Sequence, residues 1–177
     1  MGIFDKMKGQ KPAGAKYPFV NAVQGESILR VESMVLTENR TGAPMVRTRF
    51  LRVAAKGEAA DNLGEGCTDL YFPTRGSKFQ DSDNARFKAL CNAVAGVGSQ
   101  DTDTTDAEWV EAATAGEGDK HAGALVLCRV VENKNGNNSA YFETIEGAAE
   151  FAQAAFDGGK ITDAGREMME DQGFTVM

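Results

Sequence analysis

The side chains best suited to bond-making chemistry are few in this chain and are scattered along it. It holds one histidine, His121, so neither a His-paired nucleophile nor a His-based metal site has a second imidazole to draw on. Cys67, Cys91 and Cys128 lie far apart and form no Cys-x-x-Cys pair, which removes the usual zinc spacings. Gly64-Glu65-Gly66 and Gly96-Val97-Gly98 lack the third glycine of a dinucleotide-binding turn, and Gly159-Lys160 runs into Ile161 where a phosphate-binding loop needs Ser or Thr. Asp101-Thr102-Asp103-Thr104-Thr105 fits an Asp-x-Asp-x-Thr phosphoryl-transfer pattern. That chemistry needs a buried strand just before the first aspartate, and the residues there are GVGSQ. The expectation is a non-catalytic protein without cofactor or metal.

What remains is cationic and aromatic. Between Ile28 and Lys56 stand Arg30, Arg40, Arg47, Arg49, Arg52 and Lys56 against only Glu32 and Glu38, in a chain whose net charge is −7. Arginine offers phosphates a fixed positive charge and a planar face for bases. Unpaired bases also need exposed rings to stack on. Phe50, Tyr71, Phe72, Tyr141 and Phe142 are the candidates, and in each adjacent pair only one ring can face outward. Tyrosine tolerates water better, so Tyr71 and Tyr141 are expected outside, with Phe72 and Phe142 inside. The expected nucleic-acid-binding set is Arg30, Arg47, Arg49, Phe50, Arg52, Lys56, Tyr71, Arg75, Lys78, Lys134 and Tyr141. A single strand is the expected ligand, since an acidic protein with one basic face repels duplex elsewhere on its surface.

Those residues must be positioned by strands. ILRVESMVLTE and APMVRTRFLRVAAK flank Asn39-Arg40-Thr41-Gly42, a hairpin turn with asparagine chemistry and a glycine free to take positive φ. In the first run Leu29, Val31 and Val35 share a face, with Ile28, Arg30, Glu32 and Met34 on the other. Tyr17–Val23 reads as a short preceding strand, and Cys67–Phe72 as a third strand of the main set, stopped by Pro73. Phe87, Leu90, Cys91 and Val94 then make one helical stripe, with Asp81, Ser82 or Asp83 as N-cap and Gly96 as C-cap. Ser99–Asp119 holds seven acids and no base; Thr105 with Glu108 has capping-box spacing and predicts a short helix bearing Trp109. Ala122–Glu132 and Ser139–Ile145 form a second hairpin around Asn133–Asn137, and 147–157 reads as a small helix.

Strand, strand, strand, helix, strand, strand is the order of the OB-fold, a five-stranded Greek-key barrel with a helix between strands three and four. The fold class is therefore mainly β with one or more helices; a β-sandwich or an open α+β layer satisfies the same order. We divide the chain into a basic arm (1–16), the barrel domain (17–158) and an acidic C-terminal segment (159–177) expected to pack weakly as a separable arm. No apolar run is long enough to span a bilayer, the N-terminus lacks a secretory core segment, and unpaired cysteines suit a reducing compartment, so a cytoplasmic location is expected.

GESILRVESMVLTENRTGAPMVRTRFLRV, RFKALCNAVAGV and AGALVLCRVVENKNG resemble segments of the small single-stranded-DNA-binding proteins encoded by bacteriophages. The turn Thr41-Gly42-Ala43-Pro44-Met45, the helix Arg86–Val97 and the strand opening Gly123–Val126 carry the likeness, which spans about Gly25–Asn138. It implies an OB-fold that coats DNA intermediates in phage replication or recombination in the host cytoplasm. It also implies partners among replication or recombination proteins reached through an acidic C-terminus, and it admits a homo-oligomer. The competing reading is a phage accessory or inhibitor protein, a protein–protein module that works through its acidic surface.

Overall fold

A computed structural model describes residues 18–147, 155–157 and 160–177. The expected arm at 1–16 lies outside these residues, as does most of the helix expected over 147–157. The architecture is mainly β with a few helices. Five antiparallel strands run in the order β3-β2-β1-β4-β5 and curl as a half-barrel, consistent with an OB-like fold. They are β1 (Gly25–Glu38), β2 (Pro44–Lys56), β3 (Gly66–Tyr71), β4 (Leu125–Glu132) and β5 (Asn138–Thr144). Helix α1 (Gln80–Ala95) sits between β3 and β4 in the chain, followed by the short α2 (Ala107–Thr114).

The β1–β2 turn closes as its residue types require. Asn39 Oδ1 accepts hydrogen bonds from the Thr41 and Ala43 amides, both at 2.9 Å, and Gly42 takes φ 82°. Strict alternation fails within the hairpin because of two bulges. Val31 pairs with Phe50 and Ser33 with Arg49, which leaves Glu32 unpaired; Ile28 pairs with Ala54 and Leu29 with Arg52, which leaves Val53 unpaired. Each bulge adds local twist and helps the sheet curl. The first also swaps faces beyond Glu32: Met34, not Val35, is the buried residue.

The inner face of the curl is the main core. Leu29, Val31, Met34, Val46, Phe50 and Cys67 meet Val126, Cys128, Val130 and Phe142, and α1 closes it with Phe87, Leu90, Cys91 and Val94. The Phe50 and Phe142 rings stack with centroids 6.0 Å apart. Gly96 caps α1 at φ 72° as expected, but the helix begins at Gln80, so Asp81 and Asp83 lie within its first turn and cap nothing. Asp106, not Thr105, caps α2 by accepting from the Trp109 amide at 2.8 Å; Thr105 is buried and its hydroxyl donates to Asn92 Oδ1. The three thiols are buried and unpaired, and burial pushes Cys67 up to about 11 and Cys91 up to about 12, so both stay protonated.

The C-terminal segment departs from expectation. β6 (Phe156–Asp157) pairs with β7 (Lys160–Ile161), so Phe156 is in a strand where a helix was expected. Then α3 (Asp163–Asp171) and β8 (Thr175–Val176) cover the outer face of β1, β2 and β4. Met169 and Phe174 are buried there with Ile28, Val53, Ala54 and Leu125. β8 extends the sheet by pairing with Ala54 and Ala55, and the Met177 amide donates to Val53 O at 2.9 Å. An acidic segment with two buried large side chains and sheet hydrogen bonds is part of the fold rather than a loosely packed arm. A Cβ at Gly165 would lie 2.5 Å from Ala155 Cα, so α3 docks as closely as a glycine permits.

β3 and β5 end the sheet without pairing with each other. The segment before β1, expected as a strand, is a 3-10 turn at Val20–Ala22 that spans this seam. Phe19 bridges to Thr68 on β3, and Asn21 and Gln24 hydrogen-bond to Asn138 on β5.

Candidate nucleic-acid interface

The seam between β3 and β5 is an open groove of about 780 Å³, floored by α1 and ended by Phe19–Asn21. Three rings from distant parts of the chain line it and remain largely in solvent: Phe19 at 57%, Phe79 at 60% and Tyr141 at 49% exposure. Each is held by rigid structure. Phe19 is fixed by its bridge to β3, Phe79 immediately precedes α1, and Tyr141 lies on β5 with its neighbour Phe142 buried in the core. Large rings left in water beside one concavity form an apolar surface that the fold itself does not use.

Cations accompany the rings. The Lys78 ammonium is 5.0 Å from the Phe79 ring centroid, and the Arg129 guanidinium is 5.9 Å from that of Tyr141. Arg75 lies over Phe72 at 5.3 Å in the same β3–α1 loop. Lys134 is exposed in the β4–β5 turn, next to Asn133, which lines the groove. Arg47 and Arg49 pair across the sheet with Leu70 and Thr68, both groove residues, so they stand one strand behind its β3 wall.

The wall itself carries three acids, Asp69, Asp83 and Glu143, against two arginines, Arg86 and Arg129. Arg86 on α1 donates to Leu70 O at 3.0 Å and to Asp83 at 3.3 Å, and its Nε lies 3.5 Å from Asp69 Oδ1 without a hydrogen bond. Asp69 is 6% exposed and its Oδ2 has no partner among the described residues. Burial outweighs the attraction of Arg86 and pushes its pKa up to about 6. Arg129 pairs with Glu143 at 3.0 Å across β4 and β5.

The expected residues therefore divide. Tyr141 lines the groove, Lys78 and Lys134 adjoin its lining residues Phe79 and Asn133, and Arg47 and Arg49 stand one strand behind it; Arg75 lies over Phe72, outside the lining. Tyr71 is only half outside: its ring stacks on Phe87 with centroids 4.0 Å apart, and its hydroxyl donates to Asn84. Phe72, expected in the core, is half-buried and belongs to neither core cluster. Phe50 and Arg52 are corrections. Phe50 is fully buried, and Arg52, at even spacing from Phe50, shares the inner face at 4% exposure. Neither can meet a ligand at the surface. Arg30 and Lys56 serve the C-terminal cover, lying over the rings of Phe156 (5.1 Å) and Phe174 (4.2 Å).

Sequence reasoning missed Phe19, Phe79 and Arg129. Phe79 had a usable signal, a large ring in a polar link beside Lys78. Arg129 had one too, as a lone cation on an otherwise apolar strand. Among the described residues no group of three or more His, Cys, Asp or Glu could hold a metal, and no helix is long and apolar enough to cross a membrane. Against known proteins, the chain matches no family model and no curated sequence.

Proposed function

We propose that this protein binds single-stranded DNA without catalysis, seating unpaired bases in the seam groove on Phe79, Tyr141 and Phe19 while phosphates run along the cations at its rim. The observation that carries this reading is the convergence of three exposed rings on one groove of an OB-like half-barrel. Duplex hides its base faces, so rings of this kind favour unpaired strands. Lys78 and Lys134 supply charge at the rim, beside Phe79 and Asn133, with Arg47 and Arg49 behind one wall. The sequence resemblance adds a setting, the coating of single strands during phage replication or recombination in the host cell.

The test is anisotropy titration of a fluorescent oligothymidine and of a duplex of equal length. Single strand is expected to bind more tightly than duplex, and Phe79→Ala or Tyr141→Ala to cost about 1–3 kcal/mol of single-strand affinity each. No single-strand binding at low salt would overturn the reading. One observation favours the alternative of a protein-binding module: the groove arginines Arg86 and Arg129 already have carboxylate partners. A protein ligand held through apolar contact would show little salt dependence, whereas log affinity for single strands falls by about 0.7 per phosphate contact for each unit of log salt.

A further inference from the structure

The two groove arginines differ in how firmly they are held. Arg86 is gripped at three points, by Leu70 O, Asp83 and the buried Asp69, and it ties α1 to β3. Releasing it would strand a buried carboxylate. Arg129 Nη2 donates a hydrogen bond to Glu143 Oε1 at 3.0 Å, and its side chain is 52% exposed against 45% for Glu143. An exposed, single-contact pair of this kind is worth no more than about 1 kcal/mol and is readily exchanged. Its position matters as much as its weakness. Arg129 is directly opposite Tyr141 in the β4–β5 ladder, Glu143 is two residues further along the same face of β5, and all three line the groove.

Resting on the reading above, we propose that Arg129 is the phosphate contact within the groove and that Glu143 is its internal counter-ion, which a backbone phosphate displaces when a base stacks on Tyr141. A carboxylate and a phosphodiester offer a guanidinium the same kind of anionic oxygen. The free protein thus keeps Arg129 extended along the wall, and bare anions must compete with a tethered carboxylate. A strand gains the stacking contact together with the phosphate contact and wins the exchange. Glu143 sets the threshold, and the slight excess of acid on the wall discourages anions that bring charge without a base.

Oligothymidine affinity and its salt slope test this in full-length wild type, Glu143→Gln, Arg129→Gln, the double variant and Glu132→Gln. Glu132 is an exposed acid on the same hairpin and reports the effect of net charge alone. Glu143→Gln is expected to tighten binding about two- to fivefold at low salt, the range an exposed pair commands. Arg129→Gln is expected to weaken binding and to flatten the salt slope by about 0.7. In the Arg129→Gln background the Glu143→Gln change should have no effect. Equal tightening by Glu132→Gln, tightening that survives loss of Arg129, or an unchanged affinity in Glu143→Gln overturns the exchange while leaving single-strand binding intact. Failure of wild type to bind oligothymidine removes both.

Discussion

Two regions on the outside of this half-barrel present apolar side chains, and they are treated differently. Over β1, β2 and β4, Ile28, Val53, Ala54 and Leu125 are sealed by the chain's own Met169 and Phe174. Along the β3–β5 seam, Phe19, Phe79 and Tyr141 stay about half exposed or more. The first region behaves as a second core, the second as an unfilled surface. The difference separates stability from recognition: apolar area that the chain covers contributes to folding, and apolar area left beside a groove is available to something else.

The largest effect that would break this comparison is on the sealed side. Phe174→Ala should cost about 3–5 kcal/mol of stability, as a truncated core aromatic does, and leave single-strand affinity unchanged while the protein is folded. Denaturant unfolding and titration measure the two halves. A loss below about 1 kcal/mol would return the C-terminal segment to the status of a separable arm.

Next comes the wall of the open side. Asp69 holds its proton more tightly in the folded state, where its pKa is about 6, than in the unfolded chain, where it lies near the ordinary value of 3.8. The folded state therefore binds more protons between these values, and stability is lost as pH rises from about 4 to about 6, then levels off. The loss is on the order of 2–3 kcal/mol. Subtracting the Asp69→Asn unfolding profile from that of wild type isolates it. A flat difference would mean that Arg86 compensates the buried charge fully.

Of similar or smaller size is the converse of the first prediction. Phe79→Ala should weaken single-strand binding by about 1–3 kcal/mol and shift unfolding hardly at all, because its ring is mostly in water. A matching loss of stability would place the ring in the core and remove the contrast. The smallest effect concerns the strand behind the wall. Arg47→Gln and Arg49→Gln should each reduce the salt slope by at most about 0.7. Arg52→Gln, on the inner face, should leave the slope alone and lower the melting temperature.

Local features were legible because one or two residues dictate them. Asn39 and Gly42 announce the first hairpin, Gly136 and its asparagines the second, and Phe87, Leu90, Cys91, Val94 with Gly96 the helix. The order of these elements was enough for an OB-like topology. The bulges at Glu32 and Val53 were not legible, since a single extra residue leaves no mark on composition, yet one of them puts Met34 inside. Arg52 was misplaced by counting charges along β2 without following their alternation against Phe50. The groove was hidden for another reason: residues 19, 79, 129 and 141 meet only after the sheet has curled. The cover was hidden because Met168 and Met169 read alike, while the fold buries Met169 and leaves Met168 exposed.

The pairing of β8 with β2 imposes a schedule on biosynthesis. Ala54 and Ala55 emerge from the ribosome well over a hundred residues before Val176 and Thr175, their partners in the ladder. Until then Ile28, Val53 and Leu125 have no cover on their outer side, although the inner face can already assemble around α1. A chain stalled or cleaved after β5 would carry a formed curl with a bare apolar flank and an unpaired stretch of β2, the kind of intermediate that aggregates or engages chaperones. The outer face of this fold therefore closes later than the inner one, on the two ladder positions that β8 supplies.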